Sequence, residues 1–459
     1  MPVGNIIVLS VSDNIMRWRL SEFFARNEGG IKVNNLLGKL GMDSKMALGY
    51  VGVMFFMMGD GLELGWLSSY LTDHGLSMQQ SALLFSVYGF AVAIAAWLSG
   101  VLAEILGPRK AMSLGVGMFV AGTLVFLTVG IPTMNLAVMI PTYSLRGLGY
   151  PLFAYSFLVW ITYYAPKEKL GTAVGWFWVA FAGGLNVLGA YYSSFALPLL
   201  GELKTLWSAL FFVGLGSAVA ILLNKKESAE RKFKTRADAW RYISKGITIA
   251  FEKPKVGLGG IVRTINTAGA YGFVVFLPAF MMDIGFSRTE WLQIYGALWS
   301  SNVIFNLIWG IVGDKVGWRN TVMWFGGVGC AVFTLCLYYV PLAVGDNYFA
   351  VMLAAAGFGA CLAAYVPLSA LIPSLAPDNR GAAMSILNLG AGLSTFVGPA
   401  IVGLFIGSVG TVGIIWIYTS LYVTSAFLMK FVTLKQSETK KQENVETNKQ
   451  MKLAAELKR

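Results

Sequence analysis

Apolar runs of about 20 residues recur along this 459-residue chain, and they constrain its fold more than any motif does. Each run is long enough for an α-helix to cross a hydrocarbon core of roughly 30 Å. Since 56% of the residues are apolar and 13% are charged, the sequence predicts an all-α polytopic membrane protein. The twelve predicted transmembrane helices cover residues 47–70, 80–101, 111–130, 136–160, 171–192, 205–223, 258–281, 291–312, 320–340, 348–373, 383–405 and 411–433.

The net charge of +12 follows the membrane topology and does not indicate a nucleic-acid partner. If residue 1 lies inside, the outer loops hold only two basic residues, Lys204 and Arg288. Apart from Arg146 and Arg263, which fall inside predicted helices, the other basic residues lie in the inner loops and the two tails. This bias predicts that both termini are cytoplasmic.

Few residues could support catalysis or metal binding. His74 is the single histidine, which excludes a histidine-based metal site or catalytic triad. Cys330, Cys336 and Cys361 fall inside predicted helices, where we expect them to pack as small apolar side chains. The sequence therefore predicts no enzyme, no metal and no cofactor.

An internal repeat at a constant offset of 210 residues divides the chain. "YLTDHGLS" (70–77) matches "FMMDIGFS" (280–287), and "GVLAEILGPRK" (100–110) matches "GIVGDKVGWRN" (310–320). We expect a disordered cytoplasmic extension over 1–45, six-helix halves at 46–223 and 258–433, a basic linker at 224–257 and a cytoplasmic tail at 434–459. Two halves in the same orientation around a central cavity are typical of a transporter.

The repeated G-x-x-x-[D/E]-x-x-G-x-R pattern resembles the signature loop of the major facilitator superfamily, once after the second helix and once after the eighth. That resemblance implies the major facilitator fold, with Glu104, Arg109, Asp314 and Arg319 in a cytoplasmic gate that holds the halves together when the cavity faces outward. Glu104 replaces the commoner aspartate. The alternative is that these charges only set the topology.

Two acids, Asp60 and Glu63, stand in the apolar stretch "FFMMGDGLELGW" (55–66) of the first predicted helix. An ionised carboxylate near the bilayer centre costs about 2.5–3.5 kcal/mol, so the pair needs a wet cavity, a proton or a cation. Three residues apart, the two acids should share one helical face. Arg146, predicted at a similar depth in the fourth helix, is the natural partner.

"RGLGYP" (146–151) resembles the fourth-helix motif of proton-coupled members of the superfamily, which implies a role for Arg146 in proton coupling. Burial favours the protonated acid and a nearby guanidinium favours the carboxylate, so separating them would move a proton. We expect Asp60 to carry the proton and Glu63 to contact substrate or assist coupling, although the roles could be exchanged. The alternative is a permanent salt bridge that only fixes packing.

Polar and aromatic side chains within other predicted helices are candidates for substrate contacts. Buried amides and hydroxyls bounded by aromatic rings suit a polyhydroxylated solute. With Glu63, the candidates are Trp176, Asn186, Asn266, Tyr271, Trp299, Asn302, Asn306, Tyr365 and Asn388. Arg263, near the inner end of the seventh helix, could bind substrate or extend toward the interface.

A narrower resemblance covers about residues 47–433. "GYVGVMFFMMGDGLELGWLS", "RGLGYPLFAYSFLVW", "AVGWFWVAFAGGLNVLG" and "TLWSALFF" are similar to the bacterial polyol permeases. This implies import of a pentitol, ribitol or D-arabinitol, by proton symport across a bacterial inner membrane, and we expect a monomer. Composition and spacing alone reach only a proton-coupled carrier of a small polar solute.

Other functions remain open at this point. Arg146 and Arg263 could hold a carboxylate or phosphate, which would make the protein an organic-anion carrier or exchanger. A drug exporter should have a wider apolar cavity with fewer amides. From a different class, a non-transporting nutrient sensor could use the same scaffold, although the coupling charges argue against it.

Overall fold

The computed structural model describes residues 46–165, 170–222 and 248–433, and every regular element in these ranges is helical. The predicted extension 1–45, most of the linker 224–257 and the tail 434–459 lie outside them. We number the twelve membrane-length segments α1 to α12. They are α1 (Ala47–Gly61, resuming at Leu67–Asp73), α2 (Met78–Leu106), α3 (Pro108–Thr133), α4 (Leu136–Tyr164), α5 (Leu170–Ala182, continuing to Gly189–Leu200), α6 (Glu202–Leu222), α7 (Pro254–Ile284), α8 (Arg288–Val316), α9 (Trp318–Val344), α10 (Tyr348–Ala363, resuming at Leu368–Ser374), α11 (380–409) and α12 (411–428).

Nine helices of the described part are long and apolar enough to cross a membrane. One of these, Arg380–Leu428, contains both α11 and α12, because the backbone at Gly410 leaves helical geometry with φ 64°. The broken α1 and the 29-residue α4, which contains two prolines and Arg146, complete the twelve. The predicted all-helical fold is confirmed, with most helices longer than expected.

The internal repeat is visible in the local structure of the helix ends. Ser77 caps the start of α2 and Ser287 caps the start of α8, each in a capping box with the residue three positions later. Gly107 and Gly317 end α2 and α8 with φ of 84° and 100°, a region of backbone geometry that favours glycine. The same short motifs therefore form the same turns in both halves.

The first helix differs from its prediction. Regular α1 ends at Gly61, and residues 62–66 form turns, so Glu63 lies in a break and not on a continuous helical face. Side-chain donors satisfy the freed Leu62 carbonyl, because Trp66 Nε1 donates to it at 2.7 Å and Ser193 Oγ donates as well. A break at this depth is tolerated when neighbouring helices supply such partners.

We call the side that holds the described ends, residues 46 and 433, the terminal face, and the opposite side the distal face. Hydrogen bonds that join the two halves cluster toward the distal face. Ser68 Oγ of α1 donates to the Val275 carbonyl of α7 at 2.6 Å, and Trp291 Nε1 of α8 donates to the Gly65 carbonyl at 2.8 Å.

An ion-pair cluster joins the halves at the distal face itself. Arg288, at the start of α8, contacts Asp73 Oδ2 of α1 at 2.7 Å through Nη2 and forms a second ion pair with Glu202 at the start of α6. One side chain of the second half thereby bridges two elements of the first. The two halves are thus joined at the distal face.

Candidate functional site

Arg146 of α4 lies between the two acids of α1. Its Nη1 donates to Glu63 Oε2 at 2.6 Å, and its Nη2 lies 3.2 Å from Asp60 Oδ1 and 3.1 Å from the Asp60 backbone carbonyl. All three side chains are at most 2% exposed. One cation faces two carboxylates, so the triad carries a net negative charge when both acids are ionised.

Two tyrosines donate further hydrogen bonds to the carboxylates of the triad. Tyr88 of α2 donates to Asp60 at 3.0 Å and 3.1 Å from the two carboxylate oxygens, and Tyr143 donates to Glu63 Oε1 at 2.7 Å. The Arg146 guanidinium also lies 4.6 Å from the centre of the Phe119 ring. Each carboxylate thus receives one charged and one neutral donor, as buried charges require.

Small residues allow α4 to pack closely against α2 and α3, which brings Arg146 near the two acids. A Cβ at Gly122 of α3 would collide with the backbone of Thr142 and Arg146. A Cβ at Gly147 would press against Tyr88 of α2. The glycines beside Arg146 therefore let three helices of the first half pack at backbone distance around the triad.

A small cavity lies between the two halves beside the triad. Asp60 is the acidic side chain among the described residues that line it, while Glu63 is turned away toward Arg146 and Tyr143. The other lining residues are Leu64, Phe85, Tyr88, Tyr150, Leu185, Tyr271, Val274, Thr395 and Pro399. Hydroxyl groups and aromatic rings from both halves thus surround one carboxylate.

Of the predicted substrate contacts, Tyr271 lines this cavity. Asn186 and Asn266 are buried with an unpaired Oδ1, and Trp176 is half-buried within α5. The remaining candidates lie away from the cavity within the second half. Asn302 bonds to the Gly359 carbonyl and to Asn306, Tyr365 bonds to Ser425, Trp299 is buried beside Tyr295, and Asn388 is exposed on α11.

Three tyrosines near Asp60 and Glu63 were absent from the sequence prediction. Tyr143 and Tyr150 stand three residues before and four residues after Arg146, so helical spacing could have placed them on its face. Tyr88 gives no such signal, because it is one of several aromatic residues in an apolar helix. Only the packing of α2 against α4 shows that it reaches Asp60.

Arg263 is a second cation at membrane depth, on α7. Its side chain is partly buried, and its Cβ lies against Gly390 of α11. No carboxylate of the described residues forms an ion pair with it. It therefore differs from Arg146, whose charge is fully compensated.

The four predicted gate residues contact partners within their own halves. Glu104 accepts a hydrogen bond from Tyr163, and Asp314 Oδ1 accepts one from Trp318 Nε1 at 2.8 Å. Arg109 lies 5.5 Å from the centre of the Trp160 ring, and Arg319 Nη2 lies 3.4 Å from the Asn320 side-chain oxygen. These contacts do not join the halves in this conformation.

A sequence model of the Major Facilitator Superfamily matches residues 49–303 and 259–458. The chain belongs to this superfamily. It is therefore a transporter and not an enzyme, and the resemblance of its two signature loops to this family is confirmed. Among the residues that the structure describes, no group of three or more metal-ligating side chains could hold an ion.

Two curated relatives span nearly the whole chain. An alpha-ketoglutarate permease of Bacillus subtilis (strain 168) is 55% identical over 421 residues, which cover 90% of this chain and 97% of the relative. A ribitol transporter of Klebsiella pneumoniae is 37% identical over 399 residues, covering 86% and 93%. The similarity to polyol transporters is thus confirmed, but a relative named for a different solute is more similar.

A solved structure supports the fold. The crystal structure of a D-xylose-proton symporter matches with a TM-score of 0.68 at 17% identity, covering 84% of this chain and 96% of that chain. At this identity the match shows the fold alone. Two six-helix halves of the major facilitator type are therefore shown by both sequence and structure.

Proposed function

We propose that this protein is a proton-coupled secondary transporter that imports a small polar solute by alternating access. The observation that carries this proposal is the position of Asp60, a buried carboxylate that lines the cavity between the halves while it contacts Arg146. Buried ionisable groups at membrane depth are costly, and they are usually kept for ion pathways or substrate binding. Asp60 is therefore the proposed proton carrier.

The geometry supports different roles for the two acids, with Glu63 paired to Arg146 and Asp60 free to take up a proton. Arg146 lies 2.6 Å from Glu63 but 3.2 Å from Asp60, so its stronger contact is with Glu63. If Asp60 takes up a proton, Arg146 keeps a paired carboxylate, and Tyr88 can accept a hydrogen bond from the new acid proton. A proton can thus enter and leave without stranding a buried charge.

We further propose that the terminal face is cytoplasmic in a bacterial inner membrane and that the halves 46–223 and 258–433 rock as units. The contacts that join the halves at the distal face and the separate gate contacts fit an inward-facing conformation. In the outward-facing state, Glu104, Arg109, Asp314 and Arg319 would meet across the halves. We expect the monomer to contain one complete transport path.

Two solute classes fit the centre of this site. Tyrosine hydroxyls and aromatic rings around Asp60 suit a pentitol, as the sequence predicts and as the name of the ribitol transporter suggests. An oxo-dicarboxylate is the second candidate, since the 55% identical relative is named for alpha-ketoglutarate and Arg263 has no acidic partner. Both classes could be carried with a proton.

The test is uptake of labelled ribitol, D-arabinitol and 2-oxoglutarate into proteoliposomes that contain the full chain. An inward proton gradient should drive accumulation of at least one solute, and a protonophore should abolish that accumulation. Liposomes with Asp60→Asn serve as the matched control. Accumulation that is indifferent to the protonophore would rule out proton coupling.

A further inference from the structure

Arg263 occupies a place in α7 that packing alone does not explain. It stands nine residues after Pro254, the first residue of the helix, which places it about 14 Å along the axis from that end. An arginine at such depth is costly unless a carboxylate, a wet cavity or a ligand compensates it. No described carboxylate pairs with it.

Arg263 shares a helix side with a residue that lines the cavity. Tyr271 lines the cavity and stands eight residues deeper in α7, and this spacing places both residues on one stripe of the helix. Arg263 and Tyr271 therefore lie on the side of α7 that faces the space between the halves.

Two tyrosines, Tyr150 and Tyr271, line the cavity beside Asp60. Arg263 stands about 12 Å along α7 from Tyr271, toward the terminal face. A solute that extended from the cavity toward the terminal face would meet a carboxylate at one end and a guanidinium without an acidic partner at the other.

Helices α7 and α11 pack closely beside Arg263. A Cβ at Gly390 of α11 would lie 3.2 Å from the Arg263 Cβ and 2.6 Å from the Gly260 carbonyl, so α11 packs against this turn of α7 at backbone distance. One turn deeper, the buried Asn266 Oδ1 has no hydrogen-bond partner. The site thus combines an unpaired cation with an unpaired acceptor.

The net charge of the site indicates whether it favours a neutral or an anionic solute. Asp60, Glu63, Arg146 and Arg263 sum to zero when all four are ionised, and protonation of Asp60 leaves a net positive charge. A neutral solute would leave that charge uncompensated, whereas a carboxylate would cancel it. Proton uptake at Asp60 and anion binding at Arg263 would then favour each other.

We propose that Arg263 is the docking group for a substrate carboxylate, so that the solute carried is a small organic anion with hydroxyl or oxo groups. This substrate class rests on the proton-coupled transport proposed above. Arg263 offers a planar fork of donors that matches a carboxylate in a bidentate contact. The tyrosine hydroxyls would hold the remaining oxygens of the solute.

The experiment compares the purified full chain with Arg263→Gln and Arg263→Lys, and with Lys255→Gln as the matched control. Lys255 lies on the same helix but bonds to Thr433 at the exposed terminal face. Thermal shifts are measured with 2-oxoglutarate, succinate, citrate, D-gluconate and ribitol, and uptake of labelled 2-oxoglutarate and ribitol is measured in proteoliposomes.

We expect at least one anion to stabilise the wild type and Lys255→Gln. Arg263→Gln should raise the half-saturating concentration of that anion at least about tenfold, as expected for loss of a charge-assisted contact. Arg263→Lys should retain part of the binding. A Gln variant that runs as a monodisperse peak in detergent excludes misfolding. If that variant is not monodisperse, the Lys variant must still show weakened anion binding.

Three outcomes would overturn the inference: no thermal shift with any of the four anions, anion binding unchanged in Arg263→Gln, or proton-driven uptake of ribitol that is normal in this variant. The last outcome would leave proton-coupled transport intact. Conversely, anion uptake that needs Arg263 but ignores a protonophore would support the docking site and refute proton coupling. The two proposals can therefore fail separately.

Discussion

The two halves of the molecule share a fold but differ in charge at equivalent positions. By the 210-residue offset, Asp60 corresponds to Ala270 and Glu63 corresponds to Phe273. Thus the acid pair of α1 becomes an apolar pair in α7. The backbone differs as well, since α1 breaks at residues 62–66 whereas α7 is one helix from Pro254 to Ile284.

Arg146, the cation that pairs with the two acids, is also replaced by an apolar residue in the second half. Asn135 and Asn347 cap the starts of α4 and α10, and Arg146 and Phe358 each stand eleven residues later. In the second half, the rings of Phe273 and Phe358 lie 5.2 Å apart and are buried. An aromatic contact thus occupies the place that the Glu63–Arg146 ion pair holds in the first half.

This difference teaches what each half contributes. Two aromatic rings can stabilise that helix pair without desolvating any charge, so the ion pair is not required for packing. Its cost in the first half is therefore expected to serve function. The second half contributes instead the hydroxyl of Tyr271 to the cavity, and we infer that Arg263 serves the same space.

The largest effect should come from removing the cation of the ion pair. Arg146→Gln leaves two buried carboxylates without a cation and should lower the free energy of unfolding by about 3–5 kcal/mol, with loss of transport. The measurement is thermal unfolding in detergent with proteoliposome uptake. The double variant Glu63→Phe, Arg146→Phe copies the second half and should recover most of the stability but no transport. A double variant as unstable as the single one would contradict the comparison.

A more selective effect is expected at the acid that lines the cavity. Asp60→Asn keeps the shape and a neutral partner for Tyr88 but cannot release a proton. Accumulation against a gradient should fall at least tenfold, while exchange of labelled for unlabelled solute continues. Parallel measurements of uptake and counterflow test this. Equal loss of both activities would remove the coupling role from Asp60.

The distal ion pairs should have a smaller effect. Arg288 has Met78 as its counterpart in the first half, so Arg288→Met makes the halves alike at this position. Because the pairs are partly exposed, their loss should cost about 0.5–1 kcal/mol and shift the population away from the proposed inward-facing state about two- to fivefold. Labelling of reporter cysteines from the distal side should rise accordingly. Unchanged labelling would show that these pairs do not bias the equilibrium.

The smallest effect is expected at the four gate residues. There, substitution should shift the population toward the proposed inward-facing state, opposite to the shift expected for Arg288→Met. Glu104→Ala or Asp314→Ala should destabilise only the outward-facing state, because both carboxylates contact their own halves in this structure, which we propose to be inward-facing. Terminal-side labelling should increase about twofold. Glu104→Asp, which introduces the residue type of the second half, serves as the control and should behave as wild type. Reduced terminal-side labelling in the alanine variants would refute the gate assignment.

Much of the site followed from charge, because an ionisable side chain in an apolar helix stands out in any sequence. Asp60, Glu63 and Arg146 were predicted as partners from depth alone, and the structure places them within hydrogen-bond distance. The asparagines were weaker signals. An amide such as Asn302 can be satisfied by a neighbouring carbonyl within one half, so its presence does not indicate a cavity.

The sequence by itself determined the twelve helices, the repeat and the family, since hydrophobic length and recurring turn motifs are local properties of the chain. Tertiary structure alone decided which groups face the shared space. The break at residues 62–66 turns Asp60 toward the cavity and Glu63 toward Arg146, and helix packing brings Tyr88 to Asp60. These relations depend on contacts between helices that are distant in sequence, and spacing along the chain does not encode them.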